Sequence, residues 1–319
     1  MYPILITAYK RPNHLKNLID SLRDIKPKKI FFACDGPKEN NENKYESVDL
    51  TKKQIEFIDW GCEVHTRFSN SNKGCCKGMS EAISWFFEYV EAGIILEEDC
   101  VPHEDFISYC SELLDKYALD KRVWSISGTN FQDGKWRGEN SYYFSRYFQC
   151  WGWATWKRSW EEYDIAMNSW LNLRDSEIIN YIFDNKTELI YWMKLWDKLT
   201  FENIPDSWAY RFSFISIING GLSVIPNKNL IKNIGFDKYA SNTQEAVENT
   251  SIEETILPLS HPEFVVRNKD ADKYFFNTRC SLFSLKKIFI VSSKRPLYYP
   301  KKLFKIINNR KFVIFKNQK

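Results

Sequence analysis

Strand-like and helix-like segments alternate through residues 1–130, and no other feature restricts the possible folds of this chain so much. Residues 3–8 are a short apolar run that reads as a buried strand. Leu15, Leu18, Ile19, Leu22 and Ile25 follow at helical spacing, with Pro12 suited to a first turn. Lys29–Cys34 is the second strand, ended by the turn residues Asp35, Gly36 and Pro37. Residues 38–47 are polar and predict a surface loop; 54–60 predict a short helix, and Glu63–Phe68 alternates as a strand does. Met79, Ala82, Ile83, Phe86 and Val90 line one helical face, 93–96 is a fourth strand, Phe106, Tyr109, Leu113 and Tyr117 form another helical stripe, and 122–127 is a fifth strand. Such repetition implies right-handed crossovers, and hence an α/β fold whose mostly parallel sheet carries helices on both faces. Ligands bind such sheets beyond the carboxyl ends of the strands. Those ends here are Thr7-Ala8-Tyr9-Lys10-Arg11, Asp35-Gly36, Glu97-Glu98-Asp99 and Ser127-Gly128-Thr129-Asn130.

After residue 130 the alternation stops. Residues 142–149 and 151–156 are aromatic-rich and strand-like, helical patterns occupy about 175–200 and 206–218, and Leu222–Pro226 is another strand. The charge is uneven: residues 281–319 hold eleven of the 45 Lys and Arg and none of the 41 Asp and Glu, which leaves the rest mildly acidic. A basic body that wraps nucleic acid is thereby excluded. The tail interleaves its charges with large apolar residues, a composition suited to an anionic membrane surface, with a solvated, partly packed terminus as the alternative. Met1 runs straight into the first strand, so no export signal is expected, and the eight cysteines, with no CxxC pair, should stay reduced. No run approaches the length of a membrane span.

Glu97-Glu98-Asp99 carries the strongest chemical signal. Three carboxylates at the end of a buried strand repel one another and need a cation or donors nearby. A divalent metal bridging a diphosphate fits, since hard oxygen ligands suit Mg²⁺ or Mn²⁺. The alternative is a solvated acidic turn. Lys10 and Arg11 stand where a phosphate could lie, and Asp35 where a carboxylate could accept from a base or a ribose hydroxyl. Asn72-Lys73-Gly74 could wrap a nucleotide, although it is neither a Walker A nor a GxGxxG sequence. The tryptophans of Trp151-Gly152-Trp153-Ala154-Thr155-Trp156 could stack on sugar rings or pack a core. The four histidines form no zinc spacing, and GxSxG is absent.

Taken together, residues 3–12, Asp35-Gly36, 96–102, 152–156 and 221–227 resemble nucleotide-sugar glycosyltransferases of GT-A fold, in particular bacterial transferases related to eukaryotic N-acetylglucosaminyltransferase I. The resemblance covers about 1–276, including Leu259-Ser260-His261-Pro262. It implies a GT-A domain over 1–280, with a nucleotide-binding half (1–130) and an acceptor half (131–280), followed by the basic tail. It further implies that Asp99 ligates Mn²⁺ or Mg²⁺, with Glu97 and Glu98 completing this variant of the DxD motif. Thr7 and Arg11 would belong to the donor site, Arg11 near the phosphates; Asp35 would read the uracil or other base; Lys73 would lie on the nucleotide side, and Trp153 would line the sugar and acceptor cleft. The implied donor is a UDP-sugar, the implied acceptor a glycan or lipid-linked precursor, and the implied place the cytoplasm, with the tail on the inner membrane face. The family is inverting and uses a carboxylate base.

Two departures bear on that implication. The family usually reads Trp-Asp-Tyr-Gln-Trp where this chain has Trp208-Ala209-Tyr210-Arg211-Phe212, so the expected base falls on Ala209. Either the base was knocked out by design, or it has moved to Asp206 or Glu202, or catalysis has been lost. The family's Thr-His-Thr is Ser241-Asn242-Thr243 here. Two rivals therefore stand beside the transferase: a silent nucleotide-sugar-binding protein and a nucleotidyltransferase.

Overall fold

Six strands run in one direction and form the spine of an eight-stranded sheet in the computed structural model, which describes residues 1–38, 42–236 and 255–280. The strands are β1 (Ile4–Ala8), β2 (Lys29–Cys34), β3 (Glu63–Phe68), β4 (Ala92–Glu97), β5 (Cys100–Pro102), β6 (Val123–Ser127), β7 (Tyr142–Ser145), β8 (Trp153–Trp156), β9 (Leu222–Pro226) and β10 (Ile231–Asn233). The main sheet has the order β3-β2-β1-β4-β8-β6-β9-β7, with β8 and β7 antiparallel to their neighbours. β5 and β10 pair separately as a two-stranded antiparallel ribbon. The fold is mixed α/β, and its first four strands keep the 3-2-1-4 order of a doubly wound half.

Every residue of β1 and β6 is buried, as apolar strands covered on both faces must be, whereas the edge strand β3 is largely exposed. Ile4 and Ile6 point to one face and Leu5 to the other, so β1 feeds two separate cores. The helices are α1 (Pro12–Leu22), α2 (Glu42–Lys53), α3 (Cys75–Phe87), α4 (Glu104–Lys116), α5 (Lys157–Trp160), α6 (Asn168–Leu173), α7 (Lys186–Phe201), α8 (Trp208–Ile218) and α9 (Lys269–Phe275). α1 and α4 cover the first core and α3, α7 and α8 the second. α1 starts on Pro12 and buries Leu15, Leu18, Ile19 and Leu22. Asn185 caps α7: its side chain accepts from the Glu188 amide at 2.7 Å and donates to the Glu188 carboxylate at 2.8 Å. α8 is buried almost all round, and Arg211 within it is enclosed. Its guanidinium donates to the carbonyls of Ile165, Ser207 and Leu199 and to Asn203 Oδ1, at 2.7–3.0 Å.

Four segments differ from the sequence reading. Helix α2 starts inside the stretch expected to be loop, because its apolar content is too low to mark a helical face. Only Tyr142–Ser145 of 142–149 pairs as a strand. The helix expected from 175 begins at Lys186, after a 3-10 turn over Glu177–Tyr181. β5 and β10 are three residues each, too short for an alternation to register. The tail 281–319 and Ser241-Asn242-Thr243 lie outside the described residues. Among the described residues no helix is long and apolar enough to cross a membrane.

Candidate active site at the carboxyl edge of the sheet

Parallel register brings the polar strand ends to one height. Thr7 of β1 lies opposite Ala33 of β2 and Glu97 of β4, so the residues that follow each of them leave the sheet side by side. The Tyr9 amide donates to Glu98 Oε2 at 2.8 Å, the Glu98 amide donates to the Thr7 carbonyl at 2.9 Å, and Thr7 Oγ1 reaches the Leu96 carbonyl at 3.4 Å. Glu98 is thus a buried fastener of the β1 exit. Asp99 faces outward and pairs with Arg11, Oδ2 to Nη1 at 2.9 Å. The Cys150 thiol lies within electrostatic reach of Glu97, Cys75 and Asp99, and burial holds it well above the usual thiol range.

The β5–β10 ribbon closes over this cluster. Asn233 pairs with Cys100, and the next amide, that of Ile234, donates to the Asp99 carbonyl at 2.9 Å. The Ile234 carbonyl meets His14 Nε2 at 3.0 Å. Gly235 then passes so close that a Cβ on it would stand 2.1 Å from Asp99 Oδ2. Burial, then Asp99 and Glu98, push the Glu97 carboxyl up to about 8; burial raises Glu98 to about 7 against the Tyr9 N–H that favours its charge. Asp99 is the acid that pairs with Arg11, and the raised Glu97 and Glu98 carboxyls mark a crowded acidic site whose ionised form a divalent cation would favour. Among the described residues no three His, Cys, Asp or Glu side chains form a closed metal cage. A cation held by one or two carboxylates and the phosphates of a substrate needs no such cage, so Asp99 with its acidic neighbours fits Mg²⁺ or Mn²⁺.

A second cluster adjoins the first. Asp35 Oδ1 accepts from the amides of Gly36 (2.8 Å) and Lys73 (3.0 Å), and Oδ2 from Asn72 Nδ2 (2.9 Å). Burial raises this carboxyl, opposed by the Lys73 and Gly36 amides. Asp35 therefore shapes the 72–74 loop, and Lys73 Nζ turns back to Glu81 on α3. Gly36 is needed there, since a Cβ would stand 2.5 Å from the Ser71 backbone.

Of the remaining residues singled out in the sequence, Asp206 adjoins the second cluster. Asp206 accepts from the amides of Cys75 (2.9 Å) and Cys76 (3.1 Å) at the start of α3. Ala209 sits in the first turn of α8, half-buried against the aromatic core. Glu202 is exposed at the end of α7. Trp153 is fully buried: it stacks on Trp208 with ring centroids 5.3 Å apart and meets Phe148 edge-on at 4.8 Å. In this structure the ring packs the core behind Ala209, and it is the half-buried Trp151, edge-on to Phe131 and Phe236, that stands at the sheet edge. Sequence reasoning missed Tyr9, His14, Cys150 and Gly235. Tyr9 was named only as part of a strand end, and the other three left no local signal.

No family model and no curated protein matches the chain. Among solved structures it is similar to HddC from Yersinia pseudotuberculosis, at 14% identity and a TM-score of 0.32 over 51% of this chain and 80% of that one. It is also similar to a UDP-glucose pyrophosphorylase complexed with UDP-glucose (10%, 0.30, 51% and 78%) and to a putative glucose-1-phosphate thymidylyltransferase from Bacillus anthracis (10%, 0.29, 60% and 82%). Likeness this distant carries no argument about chemistry, and the fold class rests on the strand order itself.

Proposed function

We propose that this chain is a metal-dependent, inverting glycosyltransferase of GT-A type that moves a sugar from a nucleotide-sugar, a UDP-sugar foremost, to a hydroxyl of a surface-glycan precursor. One observation supports this above others: the Arg11–Asp99 pair stands where three strand ends arrive level, with the Asp35 loop beside it. Arg11 would turn from Asp99 toward the diphosphate and hold its charge. Asp35 would fix the 72–74 loop against the base, and the Lys73 ammonium would lie on the nucleotide side. Tyr9 and Glu98 hold Thr7 and the β1 exit in place, while Gly235 and Trp151 exclude water from above. A Mg²⁺ or Mn²⁺ ion held by Asp99, with Glu97 and Glu98 behind it, would supply Lewis-acid stabilisation of the leaving diphosphate. The acceptor hydroxyl would lose its proton to a carboxylate; Glu202 is the candidate this reading keeps, since Asp206 is taken up by the Cys75 and Cys76 amides and Ala209 cannot accept a proton. The 281–319 tail would rest on anionic lipid at the inner membrane face, next to a lipid-linked acceptor.

Ala209 itself favours a second reading, a chain that keeps the donor cleft without turnover. The test is a thermal-shift screen of nucleoside diphosphates and nucleotide-sugars with and without Mn²⁺, followed by product analysis. A ligand at 100-fold its dissociation constant stabilises by about 2.7 kcal/mol. Release of nucleoside diphosphate supports glycosyl transfer, release of pyrophosphate means nucleotidyl transfer, and binding without products means a silent binder. Absence of any metal-dependent nucleotide binding would overturn the proposal.

A further inference from the structure

The start of α3 is held by two carboxylates from distant parts of the chain. Asp35, at the end of β2, takes the Lys73 amide, and Asp206, 133 residues away from Lys73, takes those of Cys75 and Cys76. Gly74 lies between them with φ of 80°, and a Cβ on it would stand 2.8 Å from Asp206 Oδ2. The first turn of a helix leaves N–H groups without intrahelical partners, and here the chain's own acids satisfy them. Asp206 is itself held from behind. The next residue, Ser207, caps α8, and its carbonyl accepts from Arg211, whose guanidinium also grips Leu199 and Asn203. A short rigid path therefore runs from the nucleotide loop through Asp206 to Ala209 and α8.

We infer that Asp206 is a positioning residue that locks the 72–74 loop to α8, and that it does not serve as the proton acceptor. The inference rests on the glycosyltransferase reading and deepens it. Oδ1 and Oδ2 each accept from a backbone amide at the start of α3, so the helix start fixes the orientation of the carboxylate. Its effect on the donor is indirect. Releasing Cys75 and Cys76 frees the loop that Asp35 and Lys73 share, while α8 loses its register on the cleft.

Conservative and truncating variants separate the two roles. An Asn side chain keeps an oxygen acceptor for the helix start and cannot act as a base; Ala keeps neither function. Binding of UDP with Mn²⁺ is measured by calorimetry, and UDP release from a panel of UDP-sugars by turnover assay, for the wild type, Asp206→Asn and Asp206→Ala. Asp206→Asn is expected to stay within about threefold of wild type in affinity and turnover, and Asp206→Ala to bind UDP about five- to tenfold more weakly. Rescue by Asn is the readout that a proton acceptor would not give. If both variants lose turnover while UDP affinity stays at the wild-type value, Asp206 is the base and the inference is overturned. If neither variant changes affinity or turnover, the lock does no positioning and the inference also falls. A wild-type chain that binds no nucleoside diphosphate overturns the glycosyltransferase reading first, and this inference with it.

Discussion

Replacing Gly235 by alanine perturbs the carboxylate cluster without touching any acid. The added carbon would stand 2.1 Å from Asp99 Oδ2, 2.8 Å from its Cγ and 3.0 Å from Arg11 Nη1. A comfortable carbon contact is ~3.5 Å, so the overlap with the oxygen exceeds an ångström, and the end of the Asp99 side chain or the Gly235 backbone must move. Two responses are open. Asp99 can swing away, which breaks its 2.9 Å pair with Arg11, or the backbone can lift, which strains the Ile234 amide bond to the Asp99 carbonyl. Overpacking of this kind costs about 1–3 kcal/mol. For a domain of this size each kcal/mol lowers Tm by roughly 2–4 °C. Gly235→Ala should therefore melt measurably lower in a calorimetric scan and bind UDP with Mn²⁺ about tenfold more weakly, since either response moves Asp99 or Arg11. Gly61→Ala is the control: no atom lies within 4 Å of its Cβ position, and it should be neutral or gain up to ~1 kcal/mol. Equal melting and equal UDP affinity of Gly235→Ala and wild type would refute the packing of Gly235 on Asp99.

Asp99→Asn should remove the Mn²⁺-dependent part of UDP binding while leaving the far-ultraviolet circular dichroism unchanged; retained metal dependence would take the ion away from Asp99. Ala209→Asp places an acid in the first turn of α8, where the helix dipole favours it, and should raise UDP-sugar turnover by ~10²–10⁴-fold if this position lacks its base. No gain in a turnover assay would move the base elsewhere. Trp153→Ala should cost about 3–5 kcal/mol in urea unfolding, as a fully buried indole stacked on Trp208 requires, and a loss below 1 kcal/mol would contradict its place in the core. Burial pushes the Cys34 thiol up to about 12 and holds the Cys110 thiol well above the usual range, so at pH 8 both remain protonated and buried. Ellman's reagent should then titrate the half-buried Cys62 and Cys75 well before Cys34, Cys100 and Cys110, and prompt reaction of all eight would count against this core.

What the sequence made legible follows from how local each signal is. Arg11 and Asp99 could be picked out because each lies a few residues beyond an apolar strand, and parallel register does the rest: Thr7 opposite Glu97 brings them within reach. The role of Asp35 was harder to read, since a carboxylate after a strand looks alike whether it faces a ligand or, as its bonds to Gly36, Asn72 and Lys73 have it, a neighbouring loop. Asp206 on the start of α3 was invisible, because nothing local joins residues 130 positions apart. Trp153 was ambiguous for a different reason. Tryptophan suits a sugar platform and a core equally well, and the choice depends on which side of β8 faces α8, which the pairing of Trp153 with Ile95 and Ser127 decides. The β5–β10 ribbon escaped notice because three-residue strands carry no period.

The place of β8 has a consequence for the order in which a ribosome delivers the molecule. β4 pairs with β8, and β6 touches the first four strands only through β8, so β4 lacks its second neighbour until residue 156 has emerged, and β6 waits further for β9. At 5–20 residues per second the 59 residues between Glu97 and Trp156 take roughly 3–12 s to appear. Throughout that interval one side of β4 is an open, apolar edge, the kind that recruits foreign strands. The acidic triplet lies at its tip, where three carboxylates in a row would repel a second copy of themselves before Gly235 and β10 have emerged.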